Sequence, residues 1–390
     1  MRSCPIGFLR SPDYIHRHLW GQRDSGILPN SSTFFLQHAI LTMSDATVVA
    51  APVLESFSQK LLIAAGATDR EAEVVADHLV ESSLLGHDSH GILRLPEYLG
   101  FVAEGSITAG AEITVDQRSP SSAVVDCGLG FGPVGAVRAI ETAISLATQS
   151  GTGCVVTRRC TPVARLGAYV QLAAERGRVA LATCNSPLHG HFVLPAGGRQ
   201  GRLATNPIAY AFPTDGDPIL ADFSTSVTPE GKIRVYRNRG ESLPEGWVQD
   251  AQGQPTTDPD RFYGPPRGGI LPLGGVAAHK GYALGLLVEL LGSTLAGLRC
   301  DDPETGGNGV CFLVIDPGRF VDPESYRQLV AGTRDYMKSA EPAEGVDEVL
   351  VPGDLEFRIR RQRQAEGVPV DPVAWEQIVG HAERLGVELP

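Results

Sequence analysis

Residues 86–98 read Gly-His-Asp-Ser-His-Gly-Ile-Leu-Arg-Leu-Pro-Glu-Tyr. A histidine with a serine beside it, an arginine and a tyrosine fall close together there, a set able to protonate a carbonyl while holding a carboxylate. An imidazole such as His90 is matched to proton transfer near neutral pH. Ser89 can orient the ring or relay to it, and the Arg94 guanidinium fits a carboxylate in bidentate geometry. Counted in fours, His90, Arg94 and Tyr98 would share a helical face. Pro96 belongs in a first helical turn rather than mid-helix, so the spacing predicts a turn ending at Arg94 and a helix opening at Leu95 or Pro96. The plain alternative is a helix-connecting turn with its polar residues in solvent.

The elements around this stretch must hold it. Val53, Leu54, Phe57, Leu61 and Leu62 recur at helical spacing, and Gly66 fits a position just past a helix end. Thr68-Asp69-Arg70-Glu71 has capping-box form and opens a second helix through Val74, Val75, Leu79 and Val80, which delivers the chain to His90. Farther on, residues 123–126 read as a strand, Gly130-x-Gly132-x-x-Gly135 follows, residues 136–147 read as a helix, and residues 153–157 as a second strand ending in Arg158 and Arg159. Locally that is a dinucleotide fingerprint with arginines where an NADP phosphate could sit, and a Rossmann fold is its default meaning. Against it, Pro133 lies inside the glycine loop, no acid ends the second strand, and residues 178–240 read as extended segments with little helix. Residues 298–312 read as a loop, and the tail from Pro323 as helical with one extended break near residues 349–351.

Further stretches complete a pattern: Thr205-Asn206-Pro207, Asp222-x-x-Thr225-Ser226, Gly231-Lys232, His279-Lys280-Gly281 and Val351-Pro352-Gly353-Asp354. With Ser89-His90-Gly91, they resemble the type 2 malate/L-lactate dehydrogenase family, which includes ureidoglycolate and sulfolactate dehydrogenases, diketogulonate reductase and piperideine-2-carboxylate reductase. The resemblance runs from about residue 53 to about residue 386. It implies an α/β fold: a non-Rossmann, mixed, largely antiparallel sheet flanked by helices, with an N-terminal helical domain and C-terminal helices. Residues 1–42 are then an upstream extension, disordered or non-native, and 43–118 the helical domain carrying Ser-His-Gly. Residues 119–322 form the nicotinamide-cofactor domain, and 323–390 a helical segment packing with the N-terminal domain.

The resemblance also implies roles. His90 is the proton donor, with Ser89 its partner and Lys232 near substrate and cofactor. Arg94 and Tyr98 face the substrate with Thr205 and Asn206. Asp222, Thr225, Ser226, His279, Lys280, Gly281, Pro352 and Gly353 hold NADPH or NADH. The reaction is hydride transfer to or from the C=O or C=N carbon of a small 2-oxo or cyclic imino acid, in a homodimer. One departure stands out: where relatives carry an H-x-G-R-L-G type segment, this chain has Pro162-Val163-Ala164-Arg165-Leu166-Gly167, with Pro162 in the histidine's place. Proline neither donates nor accepts a proton, so the alternative is a redox-inactive relative acting as a binding or structural protein. His189 and His191 offer polar groups that compensate near the substrate.

Composition bounds these readings. A net charge of −12 over 390 residues argues against a nucleic-acid or anionic-membrane surface, and no apolar run reaches the roughly 18 residues of a span. Seven cysteines without a C-x-x-C pair read as reduced thiols of a cytoplasmic protein. His87, Asp88 and His90 with His189 or His191 have metal-ligand chemistry, but their spacing matches no zinc motif, so no metal is expected.

Overall fold

The first helices close where their punctuation puts them in the computed structural model, which describes residues 46–302 and 307–390; the extension 1–42 lies outside the described residues. Strand β1 (Thr47–Val49) leads into α1 (Ala51–Ala64), which buries Leu54, Phe57, Leu61 and Leu62 along one stripe. Gly66 follows at φ +108°, a left-handed conformation that glycine adopts without a Cβ clash. At the start of α2 (Asp69–Leu84), the Thr68 hydroxyl accepts the Glu71 N–H while the Glu71 carboxylate accepts the Thr68 N–H. Such a cap is worth about 1 kcal/mol.

The chain then makes two tight turns, Asp88–His90 and Ile92–Arg94, before α3 (Leu95–Ala103), with Pro96 in its first turn as expected. Gly91 between the turns sits at ψ −142°, so His90, Arg94 and Tyr98 do not share one continuous helical face. A side chain at Gly91 would come within 2.1 Å of Ser83 Oγ, and its absence lets the turn lie directly on α2.

Next come β2 (Thr114–Ser119), β3 (Ser122–Asp126), α4 (Gly132–Ser150), β4 (Thr152–Arg158), α5 (Gly167–Glu175), β5 (Val179–Cys184), β6 (Ile208–Phe212) and β7 (Ile219–Phe223). An excursion of α6 (Glu230–Arg239), β8 (Val248–Gln249), β9 (Pro255–Thr256), α7 (Pro259–Tyr263) and β10 (Gly269–Ile270) builds a small sheet with its own core around Val248, Phe262 and Ile270. Helix α8 (Ala278–Glu289) runs on into a π-helical turn, Leu290–Thr294, ahead of β11 (Val310–Ile315). The tail holds α9 (Pro323–Lys338), α10 (Asp354–Glu366), β12 (Val368–Val370) and α11 (Pro372–Leu385).

The seven-stranded sheet runs β2-β3-β4-β11-β5-β6-β7. Among its strands only β3 and β4 are parallel, joined by α4; the other neighbours are antiparallel. The glycine loop thus does open a strand-helix-strand unit, but the antiparallel β11 beside it ends any Rossmann continuation. Two tail and loop expectations are corrected. Residues 310–312 are not loop: they begin the middle strand of the sheet, whose Val310, Phe312 and Val314 are buried. The extended element of the tail is β12, paired antiparallel with β1, rather than residues 349–351.

Alanines on α4 and α5 (Ala136, Ala139, Ala143, Ala173) pack against Val125, Val155, Ala182 and Phe312, so both helices sit close on the sheet. A second core joins Leu54, Leu61, Leu79, Leu95 and Leu99 of α1–α3 to Val368 and Val370 of β12 and Ile378 of α11. Residues 342–347 form a turn closed by the Val346 N–H on the Ala343 carbonyl.

Candidate functional site

Strand pairing brings the C-terminal ends of β3, β4, β5 and β7 and the N-terminal ends of β6 and β11 to one end of the sheet. Asp126, Asn185, Asn206, Asp222 and Asn308 lie along that end, spread from β3 across to β7. The His90 turn is fixed from two helices. Ile92 N–H donates to Ser83 Oγ of α2 at 2.9 Å, and Arg363 of α10 grips Asp88 in a fork, with Nη2 to Oδ2 at 3.0 Å. Ser89 Oγ lies 3.0 Å from His90 Nδ1, which orients the half-buried ring and leaves Nε2 as its other polar edge. Burial first, then the positive charges of Arg94 and Arg165, pull the His90 pKa down to about 4. His87 and His78, also pulled down to about 3 by burial and by Arg165, complete a group of neutral imidazoles.

Arg94 follows one turn on, half-exposed, its guanidinium paired with Glu97. Tyr98 is buried and turns the other way: its hydroxyl donates to the Pro162 carbonyl at 2.6 Å, and burial pushes its phenol up. It ties α3 to the altered segment.

That segment also covers the glycine loop. Gly132 N–H at the start of α4 donates to Thr161 Oγ1 at 2.8 Å, and Thr161 Oγ1 donates to the Gly130 carbonyl at 2.7 Å. A Cβ on Gly132 would lie 2.2 and 2.3 Å from the Thr161 and Pro162 carbonyl oxygens. The glycines therefore serve a close approach of backbone to backbone, and the helix N-terminus is taken by the chain itself. Arg159 Nε meets Asp126 at 2.8 Å and Arg158 donates to the Ala296 carbonyl, so both arginines are engaged within the fold.

Three residues beyond Pro162 comes a residue that pattern reading passed over. Arg165 is 2% exposed. Its backbone N–H donates to His78 Nε2 at 3.1 Å and its Nη2 to Gln171 Oε1 at 2.9 Å, while Nε and Nη1 have no partner. Asp222, at the end of β7, accepts the Gly167 N–H at the start of α5 at 2.6 Å. Burial raises the Asp222 carboxyl, while that N–H and Arg165 oppose the rise.

Thr225 and Ser226 are buried, and their hydroxyls donate to backbone carbonyls, of Asn206 at 3.0 Å and Thr228 at 2.9 Å. The Thr205 carbonyl accepts the Thr225 N–H. Asn206 stands at φ +40° and is fully buried; its Nδ2 donates to the Gly285 carbonyl and to Glu289 Oε2, and its Oδ1 has no partner. The Glu289 carboxylate, 2% exposed, is held by neutral donors: Asn185 Nδ2 at 2.8 Å and Ser293 Oγ at 3.0 Å on its other oxygen. His191 is half-buried, held neutral by burial against the opposing pull of Glu289, and its Nε2 has no partner. Glu289 had one visible signal, a lone acid inside the apolar run 284–291. Arg165 had none beyond its place in the altered segment.

Lys232 on α6, His279 and Lys280 on the first turn of α8, and His189 are exposed. Gly281 is buried where a Cβ would strike the Leu273 carbonyl at 2.0 Å. The Pro352 carbonyl accepts the Leu220 N–H, and Gly353 caps α10 at φ +100°. Among the described residues, no group of three His, Cys, Asp or Glu is placed to hold a metal ion, and no helix is long and apolar enough to cross a membrane.

The family model for malate/L-lactate dehydrogenase matches residues 49–379. The malate dehydrogenase of Pyrococcus horikoshii is 34% identical over 346 residues, covering 86% of this chain and 94% of the relative. The solved sulfolactate dehydrogenase of Methanocaldococcus jannaschii has a TM-score of 0.80 at 32% identity, over 88% of this chain and 98% of that one. The delta1-piperideine-2-carboxylate reductase of Pseudomonas syringae has a TM-score of 0.73 at 29% identity, over 86% and 100%. On that match, which spans the His90 turn, the sheet end and α8 alike, the chain belongs to the malate/L-lactate dehydrogenase family.

Proposed function

We propose that the protein is a nicotinamide-dependent oxidoreductase. It interconverts a small 2-hydroxy acid and its 2-oxo acid, or a cyclic amino acid and its imine. The observation that carries this reading is the Ser89–His90 contact of 3.0 Å with Arg94 one turn beyond it. His90, held neutral, takes the hydroxyl proton in oxidation and returns it in reduction. Ser89 keeps the ring turned, and Arg94 exchanges Glu97 for the substrate carboxylate.

The residues present fit a dinucleotide. The unpartnered acceptors Asn206 Oδ1 and His191 Nε2 suit the amide hydrogens of a carboxamide, and His279 and Lys280 on the first turn of α8 suit a phosphate. Lys232 adds an exposed cation. When bound, NADPH or NADH would supply the hydride in reduction, and the oxidised dinucleotide would accept it in oxidation. Asp222, Thr225 and Ser226 contribute by shaping the wall, since their side chains are spent on Gly167 and on carbonyls.

The protein forms a homodimer through the outer face of α8 and the turn after it. Leu287 and Leu290 are 48% exposed there, Leu295 is 54% exposed, and Leu284 and Leu286 flank them, an unpaired apolar surface of the kind that marks an interface. Free thiols at Cys127, Cys154, Cys160, Cys184, Cys300 and Cys311 fit a reducing, cytoplasmic setting.

Pro162 supports the second reading, a redox-inactive binding protein. Fluorescence titration with NADPH and NADH separates the two. Saturable binding of either, with turnover that falls about 10²- to 10⁴-fold in His90→Ala at unchanged nucleotide affinity, is the expected result. No binding of either dinucleotide overturns the oxidoreductase.

A further inference from the structure

One face of α10 is laid along the end of α2 and the turn that follows it. Glu356, Arg360 and Arg363 fall at i, i+4 and i+7 on that helix, and so on one side of it. Glu356 Oε1 stands 4.0 Å from His87 Nε2, and Arg360 pairs with Glu81 at 2.9 Å. Arg363 spans two points of the chain. It donates to the Ser83 carbonyl in the last turn of α2, and to Asp88 in a fork, Nη1 to Oδ1 at 2.5 Å and Nη2 to Oδ2 at 3.0 Å. The Arg363 side chain is only 14% exposed, so the fork is screened less than a surface pair. Ser83 also holds the far side of the same turn, since its hydroxyl accepts the Ile92 N–H. His90 is therefore bracketed, two residues after one tie and two before the other, and both ties meet at Ser83.

We propose that Arg363 is a positioning residue for proton transfer: acting through Asp88, it seats the His90 ring, so that the C-terminal segment sets the geometry of the site. The assignment rests on the oxidoreductase reading and names a control of that site from outside its own turn. The ring's hydrogen bond is to Ser89, and Arg363 reaches it only by fixing the residue before Ser89. Without the fork, the turn loses its hold at the Asp88 end, while Arg94 keeps its place beyond the Ile92 tie. A ring that swings out has a chemical signature as well. The charged and titratable groups around it are Arg94, Asp88 and His87 of its own stretch, His78 of α2, Arg165 after β4, and Glu356 and Arg363 of α10. Burial is the first cause of its low pKa, so a ring returned to water regains basicity.

The test uses Arg363→Gln, Arg363→Lys, Asp88→Asn and, as a control, Arg361→Gln, which removes an α10 pair to Asp217. Full pH profiles are measured with dinucleotide and hydroxy acid, and carbethoxylation of each histidine by diethyl pyrocarbonate is followed by mass spectrometry. Arg363→Gln should lower kcat about 10- to 100-fold, with substrate KM changed less than about threefold. The acid limb of kcat/KM should move up from about pH 4 toward the ordinary histidine value. His90 should label faster, while exposed His189 and His279 keep their rates and buried His78 stays protected, which also shows that the variant has folded. Asp88→Asn should match Arg363→Gln, and the double variant should be no worse than either single change. Arg363→Lys, which keeps the charge without the fork, should lie between, and Arg361→Gln should change nothing. A lowered urea midpoint alone, with the acid limb and His90 labelling unmoved, overturns the proposal. So does faster labelling shared by His78 in both Arg363→Gln and Asp88→Asn. Faster labelling confined to His90, in a protein that turns over no hydroxy acid, would sustain the seating role while removing the oxidoreductase reading.

Discussion

His90 is set up to be neutral, and that fixes the sign of its pH response. Burial, Arg94 and Arg165 all disfavour the imidazolium, so in the free enzyme the proton-accepting form persists down to about pH 4. For oxidation of a hydroxy acid, kcat/KM should be flat from pH 8 to about 5 and fall only toward 4. A bound substrate carboxylate offsets the Arg94 charge and restores some basicity, so the acid limb of kcat should lie above that of kcat/KM. Coincident limbs near the ordinary histidine value, in full pH profiles, would show that the ring is not held by these two cations. At this scale the chemistry-bearing types were legible in the sequence and their directions were not. Ser89 and His90 meet as neighbours in one turn must. Tyr98, by contrast, points to a carbonyl sixty-four residues away, because α3 packs on the 158–167 segment and the hydroxyl follows the nearest buried acceptor.

At the scale of elements, local signals were strongest where one residue type has one physical use. The capping box before α2, Gly66 after α1 and Pro96 in α3 each mark an end, and each end lies where they put it. The glycine loop carried two meanings, pyrophosphate approach or backbone approach, and only the position of residues 161–162 decides between them. Gly132→Ala should therefore destabilise by about 3 kcal/mol or more, because its Cβ meets carbonyl oxygens of a fixed backbone rather than a yielding side chain. Gly231→Ala, in the first turn of α6 with nothing within 4 Å of the new Cβ, should be neutral or mildly stabilising. Urea midpoints of both variants check the contrast; equal midpoints would mean that the 161–162 backbone can move aside. β11 escaped sequence reading because a continuous apolar run has no period. It sits at the sheet's centre, with Val310, Phe312 and Val314 buried on one face and Cys311 buried but Leu313 exposed on the other, so no alternation of residue type marks it.

For the molecule as a whole, one unpaired apolar feature among the described residues is the leucine face of α8. Periodicity could not reveal it, since Leu284, Leu286, Leu287 and Leu290 read as an ordinary core helix. Leu287→Asp with Leu290→Asp should convert a dimer to a monomer in light scattering behind size exclusion, since two charges in an apolar contact are not compensated. Dimers that persist in that variant would place the interface elsewhere.

The pairing of β1 with β12 sets Thr47 against Val370 and Val49 against Val368, and Arg363 of α10 holds the Asp88 carboxylate. A chain emerging from the ribosome therefore exposes α1, α2 and the His90 turn long before the segments that close over them exist. The sheet can assemble earlier, since its last strand ends at Ile315. The His90 turn is consequently among the last parts to be locked, and a nascent or prematurely stopped chain carries a folded sheet without a seated His90.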